Sequence, residues 1–181
     1  GFPGESAGQM TGHYRWHDIE RATLAFGYGL SVTPLQLAQA YAVLAADGLM
    51  RPVSYVRQTE KVEAQQVMSA HVAKQVRRML ETVVGPKGTG KNASVAAYRV
   101  AGKTGTVHKV GTGGYADDQY VSVFAGVAPV DNPEIVAVVM VDNPKGQEYY
   151  GGEVAAPLFS RVVGGALRML NVAPEIGRAH V

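Results

Sequence analysis

Three β-rich runs, at residues 96–104, 120–129 and 134–142, constrain the fold more than anything else in the sequence. Only turn chemistry separates them: Gly111-Thr-Gly-Gly-Tyr-Ala-Asp-Asp118 after the first run, and Asp131-Asn-Pro133 after the second. Parallel neighbours need a crossover of about a dozen residues or more, commonly a helix, and neither connection reads as one. An antiparallel three-strand meander is therefore expected. Three strands leave two unpaired edges, which hints that the sheet continues elsewhere.

Helical signals lie on both sides of the meander. Thr33-Pro-Leu-Gln36 is a helix start, with Thr33 as N-cap, Pro34 in the first turn and Gln36 placed to bond back to the cap. Leu37, Tyr41, Leu44 and Ala45 follow at helical spacing, and Asp47-Gly48 supplies the stop. A second helix is expected from Ser69 to Gly85-Pro86, with Val72, Val76, Met79, Leu80 and Val83 on one face. A third is expected over 157–170, opened by Pro157, with Leu158, Val162, Ala166 and Met169 or Leu170 inward. Gly164-Gly165 would weaken an isolated helix by about 1 kcal/mol each, so a close approach to the sheet is their expected use. Residues 1–32 read as loop-rich with a short helix around 16–25, and 51–57 read as extended. Helices followed by a meander closed by a helix make an α+β pattern, an antiparallel β-sheet backed by helices.

The 181 residues suffice for one core and leave little room for a second. A net charge of +2, with no basic run longer than Arg77-Arg78, gives no footprint for nucleic acid. The absence of cysteine excludes disulfides and thiolate metal sites. No apolar run approaches the roughly 18 residues that read as a membrane span. The opening Gly1-Phe-Pro-Gly-Glu has neither an initiator Met nor a signal-peptide pattern and reads as the interior of a longer protein, while 177–181 read as a tail.

The chemistry centres on Val100-Ala-Gly-Lys-Thr-Gly-Thr-Val-His-Lys109. A phosphate loop needs G-x-x-x-x-G-K-[ST] between a strand and a helix. At Lys103 the first glycine falls on Ala97; at Lys91 the hydroxyl position is Asn92, and the lysine follows a helix and precedes a strand. Lys103-Thr104-Gly105 also matches the third element of a serine acyl-transfer set whose other members are S-x-x-K and S-x-N. The ammonium and the hydroxyls of Thr104 and Thr106 could hold a carboxylate by charge-assisted bonds. The glycine would leave room for a peptide backbone, and the N–H after it could face an oxyanion. Taken alone, these residues leave open a solvated strand-end lysine.

Longer stretches decide between the two. Arg15-Trp16-His-Asp-Ile-Glu20, Phe26-Gly-Tyr-Gly-Leu30, Val32-Thr-Pro-Leu-Gln-Leu37, Gly102-Lys-Thr-Gly-Thr106, Phe124-Ala-Gly-Val-Ala-Pro129, Tyr149-Tyr-Gly-Gly152, Ala156-Pro157 and Gly164-Gly-Ala-Leu-Arg168 occur in order. Together they closely resemble the C-terminal half of the class B penicillin-binding proteins, above all the division-specific peptidoglycan D,D-transpeptidases of Gram-negative bacteria. The resemblance covers residues 3–174.

The resemblance implies a penicillin-binding, β-lactamase-like transpeptidase fold, with residues 1–176 as the C-terminal portion of that domain. It implies that Lys103, Thr104, Gly105 and Thr106 wall the catalytic cleft, with Thr104 and Thr106 on the substrate carboxylate and the Thr106 N–H as half of the oxyanion hole. Tyr149 and Tyr150 would line the substrate or β-lactam pocket, and Gly151-Gly152 would let that loop turn tightly. His108 is expected among the substrate- or β-lactam-binding residues; it stands where relatives often carry Arg, and a neutral imidazole there would weaken any carboxylate grip while a protonated one would partly restore it. The implied partners are peptidoglycan stem peptides, β-lactams, the rest of the same domain and cell-division proteins. The implied place is the periplasm, with an inner-membrane anchor outside this chain; no metal or cofactor is implied. None of the seven serines opens Ser-x-x-Lys or Ser-x-Asn. The nucleophile is thus expected ahead of residue 1, and this chain by itself is expected to be inactive. A non-catalytic interaction module that keeps the sheet is the alternative.

Overall fold

The computed structural model describes residues 3–10, 16–60, 62–111 and 114–175, with backbone alone at 110, 111 and 114–118. Arg15 and the tail at 177–181 lie outside the described residues. In chain order the elements are β1 (Gln9–Met10), α1 (Asp18–Leu24), β2 (Leu30–Ser31), α2 (Pro34–Ala45), β3 (Leu49–Met50), β4 (Gln65–Gln66), α3 (Ala70–Thr82), a 3-10 turn at Lys91–Ala93, β5 (Ala101–Gly111), β6 (Gly114–Ala128), β7 (Ile135–Asp142) and α4 (Gly151–Met169). β5, β6 and β7 form the expected antiparallel meander, with Lys103 opposite Ala125, Thr106 opposite Ser122, and Phe124 opposite Val139.

Side-chain alternation along the strands builds two cores. On one face Phe124, Ala128, Ala137 and Val139 pack against Ala155, Ala156, Phe159, Val163 and Leu167 of α4. The Phe124 and Phe159 rings meet at 4.7 Å, tilted by 60°. On the other face Ala101, Ala125, Val127, Val136 and Val138 pack against Leu37, Tyr41 and Ala45 of α2 and Leu80 of α3. The sheet is thus a middle layer between α4 and the α2/α3 pair.

The capping residues act as their order predicts. Thr33 Oγ1 accepts from the Gln36 N–H at 3.1 Å, and Gln36 Oε1 accepts from the Thr33 N–H at 2.9 Å. Ser69 caps α3. The stop after α2 is Asp47 at φ 53° and Gly48 at φ 89°. A clamp below it escapes sequence reading. Arg77, only 3% exposed, donates to the Leu44 carbonyl and to Asp47 Oδ1 at 2.9 Å. Burial acts to raise the Asp47 pKa, but the Arg77 hydrogen bond and charge, with help from Lys74, hold it below the usual carboxylate range.

Several boundaries and faces differ from expectation. The first long strand starts at Ala101 rather than 96, because Val95 and Tyr98 close a tight turn (Tyr98 N–H to Val95 O, 3.1 Å) with Ala97 at φ 66°. Lys103 is therefore near the start of a strand that runs on to Gly111. Much of the expected turn at 111–118 is strand, since β6 begins at Gly114; residues 112 and 113 lie outside the described residues. Residues 51–57 form no strand. On α3, Val72 and Met79 are exposed, and Ala73 and Arg77 are buried in their place.

The closing helix begins at Gly151, so Pro157 stands inside it and forgoes one backbone bond instead of opening it. Its inward face is Ala155, Ala156, Phe159, Val163 and Leu167, while Leu158, Val162, Met169 and Leu170 are exposed. Gly164 approaches Val95 rather than the sheet, and a Cβ on Gly165 would meet nothing within 4 Å. The close approach to the sheet is made by Gly151. A Cβ there would lie 2.4 Å from the carbonyl oxygens of both Gly105 and Val123.

Candidate active site

β5 is an edge of its sheet, so one side of the Lys103–His108 stretch has no strand paired to it among the described residues. Alternation places Thr104, Thr106 and His108 on the α4 side, and Lys103, Gly105 and Val107 on the α2/α3 side. The structure therefore does not bring the Lys103 amine and the two hydroxyls onto one face. The exposed Lys103 Nζ donates to the Thr104 carbonyl at 2.8 Å.

The two hydroxyls are each engaged. Thr106 Oγ1 accepts from the Gly151 N–H at 3.0 Å. This caps α4 from across the sheet, since the N-cap residue Tyr150 makes no side-chain cap bond. Thr104 Oγ1 lies 3.1 Å from Thr89 Oγ1. Directly opposite Thr106, the fully buried Ser122 donates to the Tyr149 carbonyl. Thr106 and Ser122 thus hold the 149–151 segment from neighbouring strands. Asn92 ties the same helix end to the loop before β5, donating to the Gly152 carbonyl at 3.0 Å and to Glu153 Oε2 at 2.8 Å. Gly151 and Gly152 therefore form the first turn of a helix pressed onto the strand, not a tightly turning loop as the resemblance implied.

Four rings continue the α4-side wall. His108 and Tyr120 meet at 4.4 Å, Tyr120 and Tyr149 stack at 4.0 Å, and Tyr149 and Tyr150 meet at 4.4 Å. The Tyr149 hydroxyl donates to that of Tyr150 at 3.1 Å, and this bond, with the Tyr150 charge, pushes the Tyr149 pKa up to about 12. Sequence reasoning gives Tyr120, Thr89, Ser122 and Asn92 no role in this site.

The site gathers two hydroxyls and an ammonium beside the N-terminal end of a 19-residue helix. Such a set suits an anion. Neither lysine of the near-miss phosphate loops fits that motif, because Lys91 opens a 3-10 turn and Lys103 sits within a strand. His13 and His17 are spaced i, i+4, but His17 is an N-cap in extended backbone and His13 lies outside the described residues. Among the described residues no group of three or more His, Cys, Asp or Glu could hold a metal.

Two concavities, of about 640 and 480 Å³, lie just ahead of the start of β5, around Ser94–Arg99. There Arg99 is spent on Glu81 at 2.6 Å and Asp131 at 2.7 Å, so its charge is already answered.

The family model described as penicillin binding protein transpeptidase domain matches residues 1–164. The chain belongs to this transpeptidase family. It is 43% identical over 175 residues to the peptidoglycan D,D-transpeptidase FtsI of Escherichia coli K12, covering 97% of this chain and 30% of that protein. It is 41% identical over 174 residues to the probable peptidoglycan D,D-transpeptidase PenA of Neisseria meningitidis serogroup A, covering 96% of this chain and 30% of that protein. The apo transpeptidase domain of Burkholderia pseudomallei penicillin-binding protein 3 superposes with a TM-score of 0.89 at 45% identity, over 98% of this chain and 54% of that one. The fold is accordingly the transpeptidase fold. The chain spans about a third of the length of these curated relatives and about half of that solved structure.

Proposed function

We propose that residues 1–176 are the C-terminal portion of a peptidoglycan D,D-transpeptidase domain, and that they supply the wall and carboxylate grip of its cleft. The observation that carries this is the run Lys103-Thr104-Gly105-Thr106 on β5, at a sheet edge that pairs with no other strand among the described residues, with α4 packed on Gly105 through Gly151. An acyl-donor peptide laid along that edge adds a strand to the sheet. Its terminal carboxylate takes the Thr104 and Thr106 hydroxyls from one side, and the Lys103 ammonium approaches from the other. Tyr149, Tyr150 and Gly151 bound the pocket, and His108 closes the ring row instead of gripping the carboxylate.

In the complete enzyme a serine Oγ, relieved of its proton by a lysine, attacks the carbonyl carbon of the penultimate D-Ala. The oxyanion is held by the Thr106 N–H and the serine's own N–H. The C–N bond breaks, the proton goes to the leaving amine, and D-Ala departs from an acyl-enzyme. An amine of a neighbouring stem peptide then attacks the ester, forming the cross-link and returning the proton to serine. A β-lactam enters the same course by opening its ring amide, and its leaving amine stays tethered. The chemistry calls for no metal or organic cofactor.

The serine, its lysine and the second motif belong to a segment ahead of this one. Large apolar side chains left exposed at Met10, Ile19, Phe26, Tyr28, Leu30 and Val32 suit burial against that segment. No helix among the described residues is long and apolar enough to cross a membrane. We infer a periplasmic location, an inner-membrane anchor and cell-division partners from the family resemblance.

Fluorescent penicillin followed by denaturing electrophoresis tests the division of labour. This chain alone should show no covalent band, and the full-length protein should show one. A stoichiometric band on this chain alone would overturn the proposal. A reading frame ahead of Gly1 without Ser-x-x-Lys and Ser-x-Asn would instead favour the non-catalytic module.

A further inference from the structure

Each threonine of the proposed grip has a second hydroxyl or an amide directed at its oxygen. The Gly151 N–H lies 3.0 Å from Thr106 Oγ1. A backbone N–H can only donate, so the Thr106 oxygen accepts there and its own proton is left to give. Thr104 Oγ1 lies 3.1 Å from Thr89 Oγ1, and either oxygen could be the donor. A hydroxyl carries one proton and two acceptor sites. If Thr104 spent its proton on Thr89, it would present lone pairs to an approaching carboxylate and repel it. If Thr89 donates, Thr104 matches Thr106, and both protons point outward.

We propose that Thr89 is a positioning residue that donates to Thr104, so that Thr104 and Thr106 hand two protons to one carboxylate. This rests on the reading above that the two threonines bind that group. Thr89 is held for the task. Its carbonyl sits where a Cβ on Gly152 would be 2.1 Å away, so only glycine in α4 lets the loop come so near. The loop is closed behind it by the Gly90 N–H on the Val83 carbonyl at 2.9 Å, and ahead of it by Asn92 on the Gly152 carbonyl at 3.0 Å. One helix end therefore anchors both donors: Gly151 directly, and Thr89 through the loop packed on Gly152. The arrangement selects an anion over a neutral ester or amide, whose oxygens return less to two charge-assisted donors.

The test uses the full-length protein and the second-order rate constant of acylation by benzylpenicillin and by its methyl ester. Thr89→Val removes the donor that holds Thr104 Oγ1 in place and polarises its O–H, so it should slow the free acid about tenfold and leave the ester unchanged. Thr89→Ser should restore the free-acid rate to within about twofold. Thr104→Val should slow the free acid in any case. Should Thr104→Val slow the acid while Thr89→Val does not, the role of Thr89 falls and the carboxylate grip stands. Should Thr104→Val leave the acid unaffected, the grip falls and takes Thr89 with it. Equal slowing of acid and ester by Thr89→Val would mark the residue as merely structural and overturn the proposal.

Discussion

Gly151→Ala is expected to lower the melting temperature of the full-length protein by about 2–5 °C and to cut its acylation by β-lactams severely. The reason is space and not backbone conformation. The added methyl would sit 2.4 Å from the Gly105 and Val123 carbonyl oxygens, in strands that cannot yield without breaking their ladder. The helix must then move outward. That withdraws the Gly151 N–H from Thr106 and shifts Tyr149 and Tyr150 with it. Overpacking of this kind costs about 1–3 kcal/mol and sometimes more. Gly165→Ala in the same helix is the control, since its new Cβ has nothing within 4 Å. It should stabilise by about 0.5–1 kcal/mol, the ordinary gain of alanine over glycine in a helix. Two alanines of equal effect would show that the close packing of α4 on β5 is wrong.

The Thr104→Val, Thr106→Val double variant is expected to slow acylation by benzylpenicillin on the order of a thousandfold. Each hydroxyl makes a hydrogen bond to a charged group, worth about 1.5–3 kcal/mol, and the two losses add to roughly that factor. Stability should fall much less. Valine at 106 leaves the Gly151 N–H without its cap, a loss of about 1 kcal/mol, so the kinetic and thermal effects separate. Serine at both positions should recover most of the rate. A double valine variant that acylates within tenfold of the parent would show that the carboxylate is held by other groups.

What the sequence made legible follows the reach of each signal. The caps at Thr33 and Ser69 and the third long strand depend on neighbours within a few residues, and the structure bears them out, whereas the second strand reaches back to Gly114 through the expected turn. The start of β5 was misplaced because Ala96–Val100 is apolar and looks extended, whereas Ala97 turns at φ 66°. The face of α4 was misread because Pro157 looked like a helix opener. With the true start at Gly151 the inward stripe moves by one position, from Leu158 and Val162 to Phe159 and Val163. On α3 a charged residue, Arg77, takes the buried position because Asp47 and the Leu44 carbonyl answer it, about thirty residues back in the chain.

At the site, Lys103-Thr104-Gly105-Thr106 stood out because its chemistry is contiguous. The groups that govern it did not. Thr89 meets Thr104 across 15 residues, Ser122 meets Tyr149 across 27, and Asn92 meets Gly152 across 60. No local pattern marks such pairs. Gly151-Gly152 was the one visible trace, read as freedom to turn when its use is close approach.

The most direct test of the carboxylate grip is a crystal structure of the full-length protein acylated by benzylpenicillin. The penicillin carboxylate should lie within about 3 Å of both Thr104 Oγ1 and Thr106 Oγ1, with the ester carbonyl oxygen facing the Thr106 N–H. A covalent adduct whose carboxylate turns to solvent, with both hydroxyls still facing Thr89 and Gly151 alone, would contradict it.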